Sequence, residues 1–168
     1  MEHNEPWEGS GCIYHSVFKD GDRFRMYYAG GHLDVTPKGV DAGTHGLFCC
    51  YAESEDGIHW KKPQLGLHEF NGSTANNIVM VRQQVGDSTS EPGEPAVFKD
   101  ENPEAPADAR YKALLPANRA PGDSRRVLLA FKSPDGLRWS PMSNKPILND
   151  GAFDSQNLAF WDPVQKHY

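Results

Sequence analysis

Two heptapeptides, SEDGIHW at 54–60 and SPDGLRW at 133–139, share the pattern Ser-x-Asp-Gly-x-x-Trp and lie 79 residues apart. Each follows an apolar, strand-like run, LFCCYAES in the first case and RVLLAFKS in the second. Asp-Gly between two such runs is a strong hairpin signal, because Gly tolerates a positive φ angle. Ser and Asp side chains can also bond nearby backbone amides and stabilise the turn. The pattern therefore predicts the same β-hairpin twice.

A second motif repeats with almost the same period. VFKDGDRFRMYYAG begins at Val17, and VFKDENPEAPADARYKALLPA begins at Val97, 80 residues later. A third, partial copy is AFWDPVQKHY near the end of the chain, with Phe160 and Asp162 in the corresponding places. Two independent motifs that share one period indicate an internal repeat of a supersecondary unit.

Each repeat contains four short strand-like runs. The runs are CIYHSVFKD, RFRMYYAG, LFCCYAES and IHWKKP in the first, and EPAVFKD, RYKALLPA, RVLLAFKS and LRWSP in the second. With 16 Gly, 13 Pro and no long segment of 3.6-residue apolar period, the chain is predicted to be all-β. Four-stranded units arranged radially form a β-propeller. The predicted boundaries are 8–75 for blade 1, 76–150 for blade 2 and 151–168 for the start of blade 3.

Composition excludes several function classes. The net charge of −6 makes nucleic acid an improbable partner. No apolar run approaches the roughly 18 residues that cross a membrane. The N-terminal MEHNEPWEGS lacks the features of a signal peptide. The sequence therefore leaves the cellular compartment of the protein undecided, with secretion or a periplasmic location among the alternatives.

The three cysteines lack metal-ligand spacing. Neither C-x-x-C nor H-x-x-x-H occurs, so no metal and no cofactor is predicted. Cys49 and Cys50 lie in a strand-like run and are predicted to be buried on opposite faces. A disulfide from Cys12 to either of them stays open.

Three segments carry a family resemblance. YAESEDGIHWKKPQLGL with NGSTANNIV, then FKDENPEAPADARYKAL, then SPDGLRWS with GAFDSQNLAFWDPVQKHY occur in this order. Together they resemble bacterial proteins similar to the N-terminal domain of invertase-type glycosyl hydrolases (family 32). The resemblance spans 7–168 and implies the five-bladed β-propeller shared with arabinanase- and xylosidase-type enzymes. It also implies that about two blades and the first strand of a third are present, so the chain is expected to be an N-terminal fragment without hydrolase activity.

The candidate site residues precede or begin the first strand of each unit. The segments are WEGSGCIYHS, STSEPGEPAV and GAFDSQNLAF, whose carboxylates are Glu8, Glu91, Glu94 and Asp154. Glycoside hydrolysis requires two carboxylates that flank the scissile bond. By resemblance, Asp154 takes the place of the invertase Asp that precedes an inner strand, although the Arg-Asp-Pro and Glu-Cys motifs of those enzymes do not occur. Asp154 and Glu94 are the predicted catalytic residues.

Four further residues are predicted to bind substrate. Gln156 and Asn157 are amides beside Asp154, His15 can point into the channel by strand alternation, and Glu8 precedes the first strand. His15 can equally be a core histidine, and Asp154 can be a turn residue. The predicted partner is a carbohydrate substrate or ligand.

A second functional class is a non-catalytic, glycan-binding or scaffold propeller. An open arc of two blades also exposes an apolar sheet face, so self-association of the fragment is expected. A six-bladed sialidase fold is disfavoured, because Gly57 and Gly136 follow the Asp directly rather than one residue later.

Overall fold

A computed structural model describes residues 1–41, 45–119, 123 and 125–168. The fold is all-β, with 43% strand and 4% helix, and its main sheets curve into a nearly closed, barrel-like arrangement. The strands are β1 Gly11–Asp20, β2 Arg23–Gly31, β3 Asp34–Thr36, β4 Gly39–Asp41, β5 Leu47–Ser54, β6 Ile78–Met80, β7 Gln84–Val85, β8 Ser88–Ser90, β9 Ala96–Lys99, β10 Tyr111–Asn118, β11 Arg126–Ser133 and β12 Ser140–Pro141. Single 3₁₀ turns span Pro6–Glu8 and Ala107–Ala109. Among the described residues, no helix has the length and apolar character to cross a bilayer.

The first sheet has the order β1-β2-β5-β6, and all of its pairings are antiparallel. The predicted fourth strand, IHWKKP, is wrong as a strand, since it contributes one bridge between Glu53 and Lys61. The next ladder bond on that side would need an N–H from residue 63, which is Pro63 and has none. β6 therefore supplies the paired edge of β5 instead.

The second sheet repeats the antiparallel path as β9-β10-β11-β12. β8 pairs with the end of β10 on the same side as β9, and β7 pairs with β8. A small separate ribbon joins β3 and β4. The first three strands of each sheet, β1-β2-β5 and β9-β10-β11, follow the same path, whereas the fourth strands β6 and β12 come from different places in the repeat.

The two heptapeptides fold into the same hairpin. In the first, Ser54 Oγ accepts a hydrogen bond from the Gly57 N–H at 2.9 Å, and Asp56 Oδ1 accepts bonds from the next two amides at 2.8 Å. The corresponding bonds occur in the second hairpin, at Ser133, Gly136 and Asp135. Gly57 and Gly136 have φ angles of +76° and +78°. The predicted Asp-Gly turn is therefore confirmed at both places, although the first is followed by a single bridge and not by a strand.

A shared apolar core lies between the two sheets. Tyr27 and Tyr51 of the first sheet pack against Val97, Leu115 and Phe131 of the second. Cys49 belongs to this core, whereas Cys50 lies in a second cluster beneath Trp7, Trp60 and Phe70. Both cysteines are fully buried on opposite faces of β5, as predicted, and all three cysteines are free.

A polar contact joins the first repeat to the second. Asp20, the last residue of β1, accepts a hydrogen bond from the Tyr111 hydroxyl at 2.6 Å. It also lies 2.6 Å from Arg25 Nε of its own repeat and 2.6 Å from Lys99 Nζ of the second. Burial raises the pKa of the Asp20 carboxyl, but the bonds from Lys99 and Tyr111 and the charge of Arg25 outweigh burial and lower it.

The same contact joins the second repeat to the third segment, 151–168. Asp100 occupies the position of Asp20, Lys112 that of Arg25, and Tyr168 that of Tyr111. The Lys112 ammonium donates to Asp100, and the Tyr168 hydroxyl donates to it at 2.6 Å. We call each set an aspartate latch. Because one latch links units one and two and the other links units two and three, successive units meet through equivalent contacts.

Gly57 and Gly136 form a matched pair for testing the hairpins. An alanine Cβ at Gly136 would lie 2.6 Å from Tyr27 Oη and 2.7 Å from Arg25 Nη1, whereas at Gly57 the nearest atoms are ring carbons of Phe24 at 3.6 Å. Both substitutions carry the left-handed backbone penalty of roughly 1–2 kcal/mol. We expect Gly136→Ala to lower the free energy of unfolding by about 2 kcal/mol more than Gly57→Ala. Equal losses in urea denaturation would contradict the observed contact between the sheets.

The Asp20 latch predicts a pH-dependent loss of stability. Because the pKa of Asp20 is lowered in the folded state, its contribution is present above the unfolded-state pKa and disappears as pH falls through the folded-state value. Asp20→Asn should cost about 1.5–3 kcal/mol at pH 7 and much less near pH 2. Asp22→Asn, in the exposed β1–β2 turn, is the matched control. Chemical denaturation at both pH values measures the difference, and an equal cost at both would refute a charged latch.

Candidate functional site

The three predicted segments meet where β1 and β9 begin. The predicted first strand of a third unit is wrong, because 151–168 forms no strand and contains one isolated bridge, between Asp162 and His167. Ser16 Oγ of β1 donates to the Pro95 carbonyl at 3.1 Å and accepts from the Val97 N–H at 3.3 Å. Gln156 Nε2 donates to the Tyr14 carbonyl, to Ser16 Oγ and to the Pro95 carbonyl, at 3.0, 3.2 and 2.8 Å. We call these contacts the three-segment junction. One amide thus bonds β1, the start of β9 and the third segment together.

A cleft of about 510 Å³ lies beside the junction. Its walls are β1, β9 and the third segment, and His15, Gln156 and Trp161 contribute to the lining. An indole, an imidazole and an amide are the groups that stack on sugar rings and bond sugar hydroxyls. The cleft therefore combines two of the predicted substrate-binding residues with an aromatic side chain from the third segment.

Glu94 and Asp154, the predicted catalytic pair, are electrostatic neighbours. Glu94 is half-buried just before β9, and Asp154 is exposed in the third segment. Burial raises the pKa of the Glu94 carboxyl, the Arg126 guanidinium at 3.5 Å opposes this, and the charge of Asp154 raises the pKa further. The net direction is upward. A half-buried carboxyl of raised pKa thus lies near a second, exposed carboxyl.

The backbone around the junction is conformationally strained. Five described non-glycine residues have a positive φ angle, and three of them are Tyr14, Phe153 and Ser155. Tyr14 lies at a bulge in β1, while Phe153 and Ser155 flank Asp154. Such conformations cost roughly 1–3 kcal/mol each and persist where the surroundings impose them, often at functional sites. Asp154 therefore lies between two residues in left-handed backbone conformations.

His15 lies against an aromatic cluster at the side of the cleft. Its ring stacks on Tyr28 with centroids 5.6 Å apart and an interplanar angle of 11°, and the His3 ring lies 5.5 Å away. Burial lowers the pKa of His15, and the nearby charges of His3 and the N-terminus lower it further. At neutral pH the imidazole is uncharged and can both donate and accept a hydrogen bond.

Glu8 lies inside the protein, behind Tyr28. Its carboxylate is fully buried and accepts bonds from the Tyr28 hydroxyl at 2.5 Å, from Lys62 Nζ at 2.7 Å and from the Glu5 N–H at 3.0 Å. Burial raises the pKa of Glu8, but the bonds from Lys62 and Tyr28 outweigh it and lower the pKa. To bind a sugar hydroxyl, the Glu8 carboxylate would have to break one of these hydrogen bonds.

The other carboxylate and amide near the junction make mainly local bonds. Asn157 Nδ2 donates to the Ser155 carbonyl at 3.0 Å. Glu91 is buried and accepts hydrogen bonds from Arg82 and Asn118, both at 2.7 Å. Asn157 stabilises the segment that carries Asp154, and Glu91 supports the loop that carries Glu94.

One group of side chains has ligand types suited to a metal ion. His3, Glu8 and Cys12 offer one atom each, and these atoms lie within 4.8 Å of one another. However, the Lys62 ammonium lies 2.7 Å from Glu8, and burial raises the pKa of the Cys12 thiol to about 11. A cation would have to displace a bonded ammonium and a thiol proton, so the cluster is better described as an ion-pair network.

A second cavity, of about 350 Å³, lies beside the first hairpin. It is lined by Asp22, Arg23, Glu53, Ser54, Glu55, Asp56, His59 and Lys61. These residues belong to the hairpin ends of the first sheet and not to the three first-strand segments, so the cavity is separate from the junction.

Sequence patterns missed two residues that the fold adds to the site. Arg126 begins β11 and reaches Glu94 from a different strand, and Ser16 bonds the next unit. No local sequence pattern marked Arg126 as part of the site. Ser16 lies beside His15 in β1, which could have drawn attention to it, but its partner Pro95 is 79 residues away.

No protein-family model matches the sequence, and no curated protein or solved structure is significantly similar to it. The functional inference therefore depends on the geometry of the junction and on the resemblance of the motifs.

The coupling between Glu94 and Asp154 can be measured directly. Because the Asp154 charge raises the pKa of Glu94 and the Arg126 charge lowers it, Asp154→Asn should lower that pKa and Arg126→Gln should raise it. The carboxyl ¹³C shift of Glu94, followed by NMR as a function of pH, reports both changes. Glu104→Gln, at an exposed position, serves as the control. A Glu94 pKa that does not move in Asp154→Asn would show that the two carboxyls do not interact.

Proposed function

We propose that the chain is part of a carbohydrate-active β-propeller of the five-bladed type, in which Glu94 and Asp154 act on a glycosidic bond. The observation that carries the proposal is the pairing of a half-buried carboxyl of raised pKa with an exposed carboxylate. Glycosidases place one carboxyl as an acid and another as a base or nucleophile on opposite sides of the bond. Where local environments move the pKa values of two carboxyls apart, the one with the higher pKa acts as the acid.

The aspartate latches support the propeller architecture. Asp20 with Tyr111 and Asp100 with Tyr168 are equivalent contacts between successive units. A repeated interface of this type places units by the same rotation each time, which is how radial folds are built. The proposed blades span about 8–75, 76–150 and 151–168, except that β6 (Ile78–Met80) pairs with β5 and belongs to the first sheet.

In this proposal the two carboxyls have distinct roles. Glu94, biased towards its protonated form, donates the proton to the leaving oxygen. Asp154, on the strained segment between Phe153 and Ser155, provides the negative charge that the sugar cation requires. Gln156 joins the third segment to β1 and to the start of β9 through its Nε2 bonds. His15 and Trp161 line the space for the sugar rings.

A non-catalytic, glycan-binding propeller is the second candidate. The observation that favours it is the Arg126 guanidinium, 3.5 Å from Glu94. A cation there favours the ionised carboxylate, which binds hydroxyls but cannot donate a proton. The two candidates thus differ in whether Glu94 is ionised beside the Arg126 cation or keeps its proton.

Oligosaccharide titrations of the intact chain test the proposal. A panel of short oligosaccharides should shift the NMR signals of the Trp161 indole and the Gln156 side chain. Asp154→Asn should weaken binding roughly 10- to 100-fold, because it removes a charge-assisted acceptor. Asp150→Asn, at an exposed position four residues earlier, is the matched control. A panel that leaves both signals unmoved would exclude a carbohydrate site in this cleft.

Aryl glycosides separate the two candidates. If the pair is catalytic, any turnover should fall by at least about 100-fold in Glu94→Gln while the affinity for oligosaccharide stays nearly unchanged. Turnover that Glu94→Gln leaves intact removes Glu94 from the acid role and favours the glycan-binding candidate.

A further inference from the structure

Two lysines occupy the same position in successive first strands. Lys19 of β1 and Lys99 of β9 each directly precede a latch aspartate, Asp20 or Asp100. Both lysines line the cleft of about 510 Å³ beside the three-segment junction. Exposed and half-buried residues alternate along β1, and Lys19 belongs to the exposed set. Its ammonium, 5.9 Å from the centroid of the Phe24 ring, therefore lies on the side of β1 that faces the cleft rather than the core.

Cations outnumber carboxylates at this end of the cleft. Lys99 Nζ lies 2.6 Å from the Asp20 carboxylate, but Arg25 Nε lies 2.6 Å from the same group. One carboxylate cannot neutralise two cations, and Lys19 has no carboxylate partner within the described part of the chain. The described cleft lining adds one carboxylate, that of Glu101. Three cations thus face two carboxylates in a chain whose net charge is −6, and such a local excess attracts anions.

The third segment places an aromatic ring at the corresponding position. AFWD at 159–162 aligns with VFKD at 97–100, so Trp161 corresponds to Lys99. The Trp161 indole lines the same cleft, and it packs against the Tyr168 ring with centroids 5.1 Å apart. An aromatic face can stack on a sugar ring, while ammonium groups beside it bind anionic substituents. The cleft therefore combines a stacking surface with two cations.

We propose that the cleft takes an acidic oligosaccharide, whose sugars carry carboxylate or sulfate groups that Lys19 and Lys99 bind. The inference rests on the proposed carbohydrate site and adds the class of sugar to it. A strand advances by about 3.3 Å per residue, so Lys19 lies roughly 10 Å along β1 from Ser16 of the junction. The anionic group thus lies towards the latch end of the cleft, away from Glu94 and Asp154, whose charges would repel it.

Isothermal titration calorimetry of the full chain with matched pairs of probes tests the proposal. Tetragalacturonate is compared with its methyl ester, and sulfated galactotetraose with galactotetraose, so that the main difference within each pair is charge. We expect at least one charged probe to bind about tenfold more tightly than its neutral partner. This difference should shrink in high salt, which screens exposed charges. The pair that shows the difference identifies the anionic group.

Substitutions in the cleft separate a specific site from general charge attraction. Lys19→Gln should weaken binding of the charged probe about tenfold, whereas Glu101→Gln should strengthen it about threefold, because the two changes alter the cleft charge in opposite directions. Lys38→Gln, in the exposed turn between β3 and β4 and outside the cleft lining, is the matched control and should leave binding unchanged. All three positions are exposed, so the fold should survive, which circular dichroism and a thermal melt verify.

The possible outcomes distinguish this proposal from the carbohydrate site on which it rests. Equal binding of the charged and neutral forms in both pairs would overturn the acidic class of ligand and leave the carbohydrate site standing. A preference for the charged probe that Lys19→Gln preserves, or that Lys38→Gln reduces equally, would also overturn it. If none of the four probes binds, the carbohydrate site itself is refuted, and the acidic class with it.

Discussion

The fold depends on a carboxylate at the end of each first strand. Asp20 and Asp100 are largely buried, and each is bonded by a cation of its own repeat and by a tyrosine of the next unit. A buried carboxylate that lost these partners would be costly. Each latch therefore fixes the position of one unit relative to the next, and the sheets can pack across an apolar core only in that position.

The latches and the junction lie along the same first strands and have complementary roles. The latches close the ends at Asp20 and Asp100, while Gln156 bonds the beginnings through the carbonyls of Tyr14 and Pro95. With both regions held, the intervening cleft keeps its shape. Glu94 and Asp154 belong to loops that this arrangement brings together, so their coupling is a consequence of how the units are joined.

Strand order and hairpins were accessible from the residues alone, because they depend on local chemistry. Asp-Gly turns, alternating apolar runs and the repeated Ser and Asp bonds act within a few residues of one another. One exception was the segment after the first turn, where Pro63 limits the ladder to one bridge. The short strands β3, β4, β6, β7 and β8 were also not predicted. Burial of Cys49 and Cys50 followed from their position in an apolar strand.

The sequence therefore determined an all-β chain with a 79–80-residue repeat. It also placed polar segments just before or at the start of β1 and β9, and a third in 151–168. The tertiary structure decided which of those side chains meet. It buried Glu8 behind Tyr28, brought Arg126 to Glu94, and set Gln156 across two carbonyls from distant units. These contacts span up to 142 residues. Local sequence propensity cannot predict these contacts, because burial and long-range pairing exist only once the sheets have packed.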